Sequence, residues 1–190
     1  MAAPERPATA YIGLGSNLAD PLTQVHNAID ALAALPGCTL RRCSSRYATA
    51  PLGPMPQPEY VNAVVSLATR LSPLELLAAL QGIERDHGRV RDGNRWGPRT
   101  LDLDLLFYGA LQIRLPELVL PHPEIANRTF VLVPLAEIAP SGLLVPGLGR
   151  VPDLLSALGT LDGVRRLPDA GCDTPIPPVV PGVPFLHSSL

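Results

Sequence analysis

The order of strand-like and helix-like segments constrains the fold of this 190-residue chain more than any other feature. The segment "ATAYIGLG", from residue 8, has β character, and Asp20 and Pro21 then predict the N-cap and first turn of a helix. Residues 38–47 and 59–70 alternate apolar and polar side chains, which is typical of strands. A capping box, Ser72-Pro73-Leu74-Glu75, starts a second helix that should end at Gly88.

A further strand is predicted in "RWGPRTLDLDLLFYG", residues 95–109, with a hairpin partner at residues 111–115. The segment "EIANRTFVLVPLAEIAP" predicts a turn and a short helix that closes the core. The resulting order of strand, helix, strand, strand, helix and strand predicts a single-domain α+β fold. We expect a ferredoxin-like sandwich, an antiparallel sheet with both helices on one face, over residues 9–158, followed by a proline-rich C-terminal tail over residues 159–190.

All 15 basic residues are arginine, and this absence of lysine excludes several mechanisms. A Walker A loop ends in Gly-Lys-Ser/Thr, a protein kinase needs a strand lysine, and a Schiff-base enzyme needs an amine. The net charge of -2 gives no overall attraction to nucleic acid or to an anionic membrane. We therefore expect local anion sites only, with no nucleic-acid or membrane partner.

Cysteine usage and the apolar segments predict the compartment. The three cysteines, Cys38, Cys43 and Cys172, form no C-x-x-C pair, which suits a reducing environment. The first residues contain no apolar signal region, and no segment approaches 18 uninterrupted apolar residues. We expect a cytoplasmic protein that acts as a monomer.

Asp102 and Asp104 interrupt the apolar strand and form the most informative chemical pattern in the chain. Side chains at i and i+2 of a strand share one face, so the two carboxylates should lie side by side, with Leu103 and Leu105 pointing into the core. Mg²⁺ prefers oxygen ligands and often uses one or two protein carboxylates together with substrate phosphates. Arg89, Arg91, Arg95 and Arg99 lie just upstream and could bind phosphate oxygens. The alternative is that both carboxylates simply face water on an open sheet.

The glycines of "YIGLGSNL" do not complete a dinucleotide-binding motif, because Leu18 stands where G-x-G-x-x-G requires its last glycine. We attribute Gly13 and Gly15 to a tight turn from strand to helix. Asn17 remains a candidate binding residue.

The sequence closely resembles the 6-hydroxymethyl-7,8-dihydropterin pyrophosphokinase family over residues 9–158. The stretches that carry the resemblance are "YIGLGSNL", "YATAPLGP", "EYVNAVV", "GRVR", "RWGPRTLDLDLLFYG" and "LPHPEIANRTFVLVPLAEIAP", in this order. The resemblance implies a ferredoxin-like fold. It also implies transfer of the β,γ-pyrophosphoryl group of ATP to the hydroxyl of 6-hydroxymethyl-7,8-dihydropterin, with release of AMP, as a step of folate biosynthesis.

The resemblance also implies roles for individual residues. Two Mg²⁺ ions would be bound by Asp102 and Asp104, with Arg89, Arg91 and Arg99 around the triphosphate. Nucleotide contacts would come from Gln81, Glu84, Arg91, Trp96, Arg99, His122 and Arg128. The pterin pocket and its cover would be Thr49, Leu52, Tyr60, Asn62, Trp96 and Phe130. Pro123 departs from the family pattern, in which some members carry an aromatic residue, and this could alter a nucleotide contact.

The residues themselves agree with a pterin pocket. A pterin is a flat ring with a donor and acceptor edge, and Tyr60 and Asn62 share one strand face by the alternation rule. No residue is an obvious strong base, so positioning and charge stabilisation would supply most of the catalysis. The loops at residues 48–58 and 88–99 should close over both substrates.

Two alternatives belong to other functional classes. An RNA-binding module with a ferredoxin-like sheet would need paired exposed aromatics and a basic surface, whereas aromatic residues make up 4% of this chain. The other alternative is a fold that has kept its ligand site but lost activity and acts as a pterin or nucleotide sensor. The intact Asp102, Asp104, Arg91 and Arg99 favour an enzyme instead.

Overall fold

The computed structural model describes residues 4, 6–51, 56–89, 97–159 and 163–168. Within these residues the strands of the main sheet are β1 (Ala8–Ser16), β2 (Cys38–Cys43), β3 (Tyr47–Thr49), β4 (Tyr60–Thr69), β5 (Asp102–Tyr108) and β10 (Val164–Arg166). The sheet is antiparallel throughout and follows the strand order β10-β3-β4-β1-β5, with β2 and β3 pairing in succession along one edge of β4.

Two short hairpins and the helices complete the described fold. The hairpins are β6 (Ile113–Arg114) with β7 (Val119–Leu120), and β8 (Leu144–Val145) with β9 (Gly149–Arg150). The helices are α1 (Pro21–Ala33), α2 (Pro73–Asp86), α3 (Thr129–Ile138) and α4 (Val151–Ala157), with a 3₁₀ turn at Ile125–Asn127. Within the described ranges, no helix has the length and apolar character needed to cross a membrane.

Both predicted helix starts are confirmed, but only one has the predicted side-chain cap. Ser72 Oγ accepts a hydrogen bond from Glu75 N at 3.4 Å, and Ser72 N donates to Glu75 Oε2 at 2.7 Å, which completes the capping box. These bonds with Ser72 lower the pKa of Glu75. Asp20 occupies the N-cap of α1, yet its carboxylate accepts from Thr23 Oγ1 at 2.6 Å and makes no cap bond to the backbone.

The sheet is covered on both faces. On one face, α1 and α2 pack Val25, Ile29, Leu76 and Leu80 against the sheet, as predicted. On the other face, α3 and α4 cover a second cluster that contains the stacked rings of Tyr11 and Phe107, whose centroids are 4.4 Å apart. The α+β fold with an antiparallel sheet is therefore confirmed.

Strand β5 follows the predicted alternation only as far as Leu105. Ile12 pairs with Leu105 and Tyr11 pairs with Phe107, so Leu106 is an extra residue on β5. This bulge turns both Leu106 and Phe107 towards the second cluster and Tyr108 towards the first. Asp102 and Asp104 lie before the bulge, where the simple period of two still holds.

The strand predicted at residues 38–47 is divided into β2 and β3. Ser44 N donates to Val64 O at 2.9 Å, while Ser44 Oγ accepts from Val64 N at 2.9 Å. The serine hydroxyl therefore replaces a backbone carbonyl in the ladder, and the regular pairing stops there.

Two further predictions need correction. Residues 111–115 were expected to pair with β5, but β6 pairs with β7, because Leu115 and Leu118 exchange backbone hydrogen bonds of 2.9 and 3.2 Å and close a local turn. Residues Val164–Arg166 were expected in the tail, but they pair with β3 and extend the sheet. Residues 169–190 lie outside the described part of the chain.

Candidate active site

A cavity of about 560 Å³ opens at one end of β1, β4 and β5, a size typical of small-molecule sites. It is lined by all the predicted site residues that the structure describes: Thr49, Tyr60, Asn62, Gln81, Glu84, Arg89, Arg99, Asp102, Asp104, His122, Arg128 and Phe130. Leu52, Arg91, Arg95 and Trp96 lie outside the described residues. Residues that are far apart in the sequence are thus collected around one space.

The two aspartates lie on the cavity side of β5, as the alternation predicted. Their side chains keep 20% (Asp102) and 34% (Asp104) of their exposure, so both are accessible without being open to bulk water. Burial, and then the negative charge of Asp102, raise the pKa of Asp104 from 3.8 to about 6. Part of the cost of ionising Asp104 therefore comes from its like-charged neighbour.

Arginines from three segments surround this carboxylate pair. Arg89 Nη1 donates to Asp102 Oδ1, and Arg99 Nη1 donates to Asp102 Oδ2, so each oxygen of Asp102 has its own guanidinium. Arg128 Nη1 donates to Asp104 Oδ2 at 3.4 Å. The site therefore holds positive charge directly beside the carboxylates. Phosphate oxygens could replace the carboxylates as partners of the arginines, and cations could replace the arginines as partners of the carboxylates.

Glu84 connects α2 to the strand between the two aspartates. This residue is 2% exposed, and its Oε1 accepts from the backbone N of Leu103 at 2.9 Å and also from Arg89. A buried carboxylate bonded in this way holds the position of both β5 and the Arg89 guanidinium. Its predicted contact with a nucleotide stays a prediction.

His122 has a defined proton position. Its Nδ1 accepts from Glu124 N at 3.1 Å, so the neutral ring carries its proton on Nε2, which lies 3.9 Å from Asp104 Oδ2. Burial, and then the positive charge of Arg128, lower the pKa of His122. Near neutral pH, His122 is therefore an uncharged donor facing the cavity.

Polar and aromatic groups line the same cavity as the charged residues. Asn62 Nδ2 donates to Thr49 Oγ1 at 2.8 Å, and Tyr60 Oη donates to Gly97 O at 3.3 Å. The Arg128 guanidinium lies over the Phe130 ring, 5.7 Å from its centroid. An amide, a hydroxyl and two rings in one cavity can bind a flat polar heterocycle.

Gly13 and Gly15 do not form the predicted turn from strand to helix. Gly13 and Gly15 lie inside β1, paired on both sides, and the left-handed residues of the following turn are Ala19 and Asp20, with φ of 52° and 59°. The misassignment arose because a glycine in a strand gives the same local signal as one in a turn.

Asn17 is 1% exposed and connects two loops beside the cavity. Its Oδ1 accepts from Arg99 N at 2.7 Å, and its Nδ2 donates to Gln57 Oε1 at 3.2 Å. These bonds join the chain that enters β4 to the chain that enters β5. A single polar residue after a strand gives no sequence signal for such distant partners.

Comparisons with known proteins agree with this geometry. The family model described as 7,8-dihydro-6-hydroxymethylpterin-pyrophosphokinase matches residues 11–140. The 2-amino-4-hydroxy-6-hydroxymethyldihydropteridine pyrophosphokinase of Pseudomonas aeruginosa is 50% identical over 160 residues, which cover 84% of this chain and 97% of that protein. The protein of the same name from Haemophilus influenzae is 51% identical over 147 residues, covering 77% and 91%.

A solved structure shares the fold at much lower identity. The HPPK-DHPS triple mutant of Plasmodium falciparum, crystallised with STZ-DHP, has a TM-score of 0.63 and 13% identity, and the match covers 80% of this chain and 43% of that one. With a cavity lined by paired carboxylates, arginines, an amide and aromatic rings, and with relatives at half identity over nearly their whole length, this chain belongs to the 7,8-dihydro-6-hydroxymethylpterin-pyrophosphokinase family.

Proposed function

We propose that this chain transfers the pyrophosphoryl group of ATP to the hydroxyl of 6-hydroxymethyl-7,8-dihydropterin, giving AMP and the pterin diphosphate in folate biosynthesis. The observation that carries the proposal is the shared cavity floor, on which Asp102 and Asp104 lie beside Arg89, Arg99 and Arg128 and across from Asn62 and Tyr60. The charged groups suit a triphosphate with its cations, and the polar and aromatic groups suit a flat ring with a polar edge.

The donor set fits Mg²⁺ held jointly by protein and nucleotide. Asp102 and Asp104 offer hard carboxylate oxygens, which Mg²⁺ prefers. Among the residues that the structure describes, no cluster of three or more His, Cys, Asp or Glu side chains could hold a metal ion alone. Two ions bound by these carboxylates would take their remaining ligands from phosphate and water. When bound, they would neutralise phosphate charge and polarise the oxygens around the β-phosphorus.

The residues of the chain would act mainly by positioning and charge stabilisation. Asn62 and Thr49 orient the pterin edge, and Tyr60 and Phe130 contact its faces, so that the hydroxymethyl group is aimed at the β-phosphorus. Arg89 and Arg99 move from Asp102 to phosphate oxygens, where they stabilise the charge that develops during in-line transfer. His122, Gln81 and Arg128 would contact the nucleotide, with Nε2 of His122 as a neutral donor.

Several further properties accompany this proposal. The order of β1, α1, β4, α2 and β5, with β1 between β4 and β5 and both helices on one face, supports a ferredoxin-like classification. Leu52, Arg91 and Trp96 would complete the cover over both substrates. The reaction and the match over nearly the whole length of bacterial relatives support a cytoplasmic enzyme, for which we propose a monomer.

An AMP-release assay with ATP, Mg²⁺ and 6-hydroxymethyl-7,8-dihydropterin tests the proposal. The wild-type chain should release AMP only when the pterin is present, whereas a sensor without activity would bind both ligands and release none. Asp104→Ala should abolish turnover with the fold intact. Asp30→Ala is the matched control, because Asp30 lies on α1 with a side chain that is 68% exposed. Near-normal turnover by a folded Asp104→Ala protein would refute the assignment of the carboxylates.

A further inference from the structure

Gly15 lies at the centre of the cavity floor. In the antiparallel register it pairs with Asn62 of β4 on one side and with Asp102 of β5 on the other. Directly opposed residues in a sheet present their side chains on the same face. Asn62, Gly15 and Asp102 therefore form a row across three strands, and its middle position carries no side chain. Asn62 and Asp102, at the two ends of the row, lie about 10 Å apart across two strand spacings.

Backbone conformation does not require glycine at this position, since the φ of Gly15 lies outside the left-handed region. A Cβ atom at Gly15 would instead lie 3.3 Å from Asn62 Oδ1 and 3.8 Å from Tyr60 Cδ1. Asn62 is 5% exposed, and its amide is held by the 2.8 Å bond to Thr49 Oγ1, so it could not yield freely. The glycine therefore preserves space beside Asn62 and Tyr60.

Gly13 occupies the equivalent position two residues earlier but serves a different purpose. It pairs with Val64 and Asp104, and the three atoms nearest to an added Cβ all belong to Leu106, at 3.3 to 3.7 Å. Leu106 is part of the second hydrophobic cluster. An added methyl at Gly13 would therefore meet a residue of the core, whereas one at Gly15 would meet Asn62 and Tyr60.

We propose that Gly15 is a specificity-determining residue, whose missing side chain forms a slot between the Asn62 amide and Asp102 that admits a planar bicyclic heterocycle. This inference rests on the proposed function, because the heterocycle is taken to be the pterin. One edge of the ring passes over the bare backbone of Gly15 and its polar groups point towards Asn62, so that its two faces stay free to contact Tyr60 and Phe130. Its hydroxymethyl substituent can then reach the phosphate held near Asp102. A methyl group at position 15 narrows the slot for the ring but leaves the arginines and carboxylates in place.

The experiment compares Gly15→Ala with Gly13→Ala. The dissociation constants of 6-hydroxymethyl-7,8-dihydropterin and of a non-hydrolysable ATP analogue with Mg²⁺ are measured separately, together with circular dichroism and thermal unfolding. Gly15→Ala should raise the pterin dissociation constant by about tenfold or more, the size of effect that one methyl group has in a close-fitting pocket. The nucleotide constant should change by less than about twofold. Gly13→Ala, whose methyl lies nearest to Leu106, should change thermal stability but not pterin affinity.

A second variant covers the case in which Gly15→Ala fails to fold. Asn62→Ala removes the oxygen that the added methyl would meet, so Gly15→Ala/Asn62→Ala should fold, and its pterin affinity should be lower than that of Asn62→Ala alone because the methyl still narrows the slot. An affinity equal to that of Asn62→Ala alone would overturn the slot, because the methyl would then act only by displacing the Asn62 amide. So would an unchanged pterin constant in Gly15→Ala, or an equal loss of nucleotide affinity. If the wild-type chain releases no AMP and binds no pterin, the proposed function fails instead.

Discussion

Replacing Asp104 with asparagine should stabilise the metal-free protein at pH 8 while abolishing pyrophosphoryl transfer. Burial, and then the negative charge of Asp102, raise the pKa of Asp104 to about 6. A carboxyl group whose pKa is raised on folding contributes stability below its ordinary pKa and loses that contribution as the pH rises through the folded value. At pH 8 Asp104 of the wild-type protein is ionised in its buried position, and the free energy of unfolding is lowered by the full cost of that ionisation. The asparagine variant has no ionisable group at this position.

The size of the effect follows from the shift. A change from 3.8 to about 6 corresponds to about 3 kcal/mol at 1.36 kcal/mol per unit. The side chain keeps 34% of its exposure, so solvent screens part of this energy. We therefore expect a gain of about 1 to 2 kcal/mol at pH 8. This corresponds to a rise in Tm of roughly 2 to 8 °C for a chain of this length.

Urea unfolding in the presence of a chelator, at pH values from 4 to 8.5, measures this gain. The stability difference between Asp104→Asn and wild type should be small at pH 4, grow through pH 6 and level off above pH 7. Asn27→Ala, an exposed change on α1 that alters no ionisable group, is the control, and its stability difference from wild type should be the same at each pH. A difference that is the same at pH 4 and pH 8, or a variant less stable than wild type at pH 8, would refute the electrostatic reasoning.

Two further substitutions and one binding measurement test other parts of the structure. Asn17→Ala should lower kcat/KM by about 10 to 100-fold, because it releases Arg99 N and Gln57, and misplacement of positioning groups is costly. Steady-state kinetics should show no comparable loss in Asn27→Ala, which changes the exposed side of α1. An equal loss in both variants would argue against a positioning role. Ser72→Ala should reduce the free energy of unfolding by about 1 kcal/mol without changing either KM, because it removes one half of the capping box; a change in KM would contradict a purely local cap. Calorimetry should show that Mg²⁺ binds the protein at least about tenfold more tightly in the presence of a non-hydrolysable ATP analogue than in its absence, because phosphate must supply ligands that the protein lacks. Tight binding of Mg²⁺ without the analogue would disprove shared coordination.

Local patterns were sufficient wherever one short segment contained the whole signal. The capping box of α2 and the proline at the start of α1 were predicted correctly from a few adjacent residues. The shared face of Asp102 and Asp104 followed from the period of two along β5. The same rule failed after Leu105, because a bulge depends on pairing with β1 and on the space available in the core, and neither is encoded in the alternation of one strand.

Pairing between distant segments could not be predicted in this way. The last described strand, Val164–Arg166, joins β3, although its local sequence resembles a loop. Residues 111–115 had strand character, but only the reciprocal bonds of Leu115 and Leu118 determine that β6 turns back on β7 instead of extending β5. Strand propensity describes how well a segment fits a sheet, whereas its partner depends on where the rest of the chain has packed.

By itself, the sequence determined the family, the helix starts and the placement of two carboxylates side by side, because each depends on residue types at fixed short spacings. Only the tertiary structure decided that Asn17 joins two loops, that Glu84 holds Arg89 and Leu103, and that Gly15 leaves space between Asn62 and Asp102. These functions depend on distances between residues that are far apart in the chain, and such distances exist only once the sheet and its helices have packed.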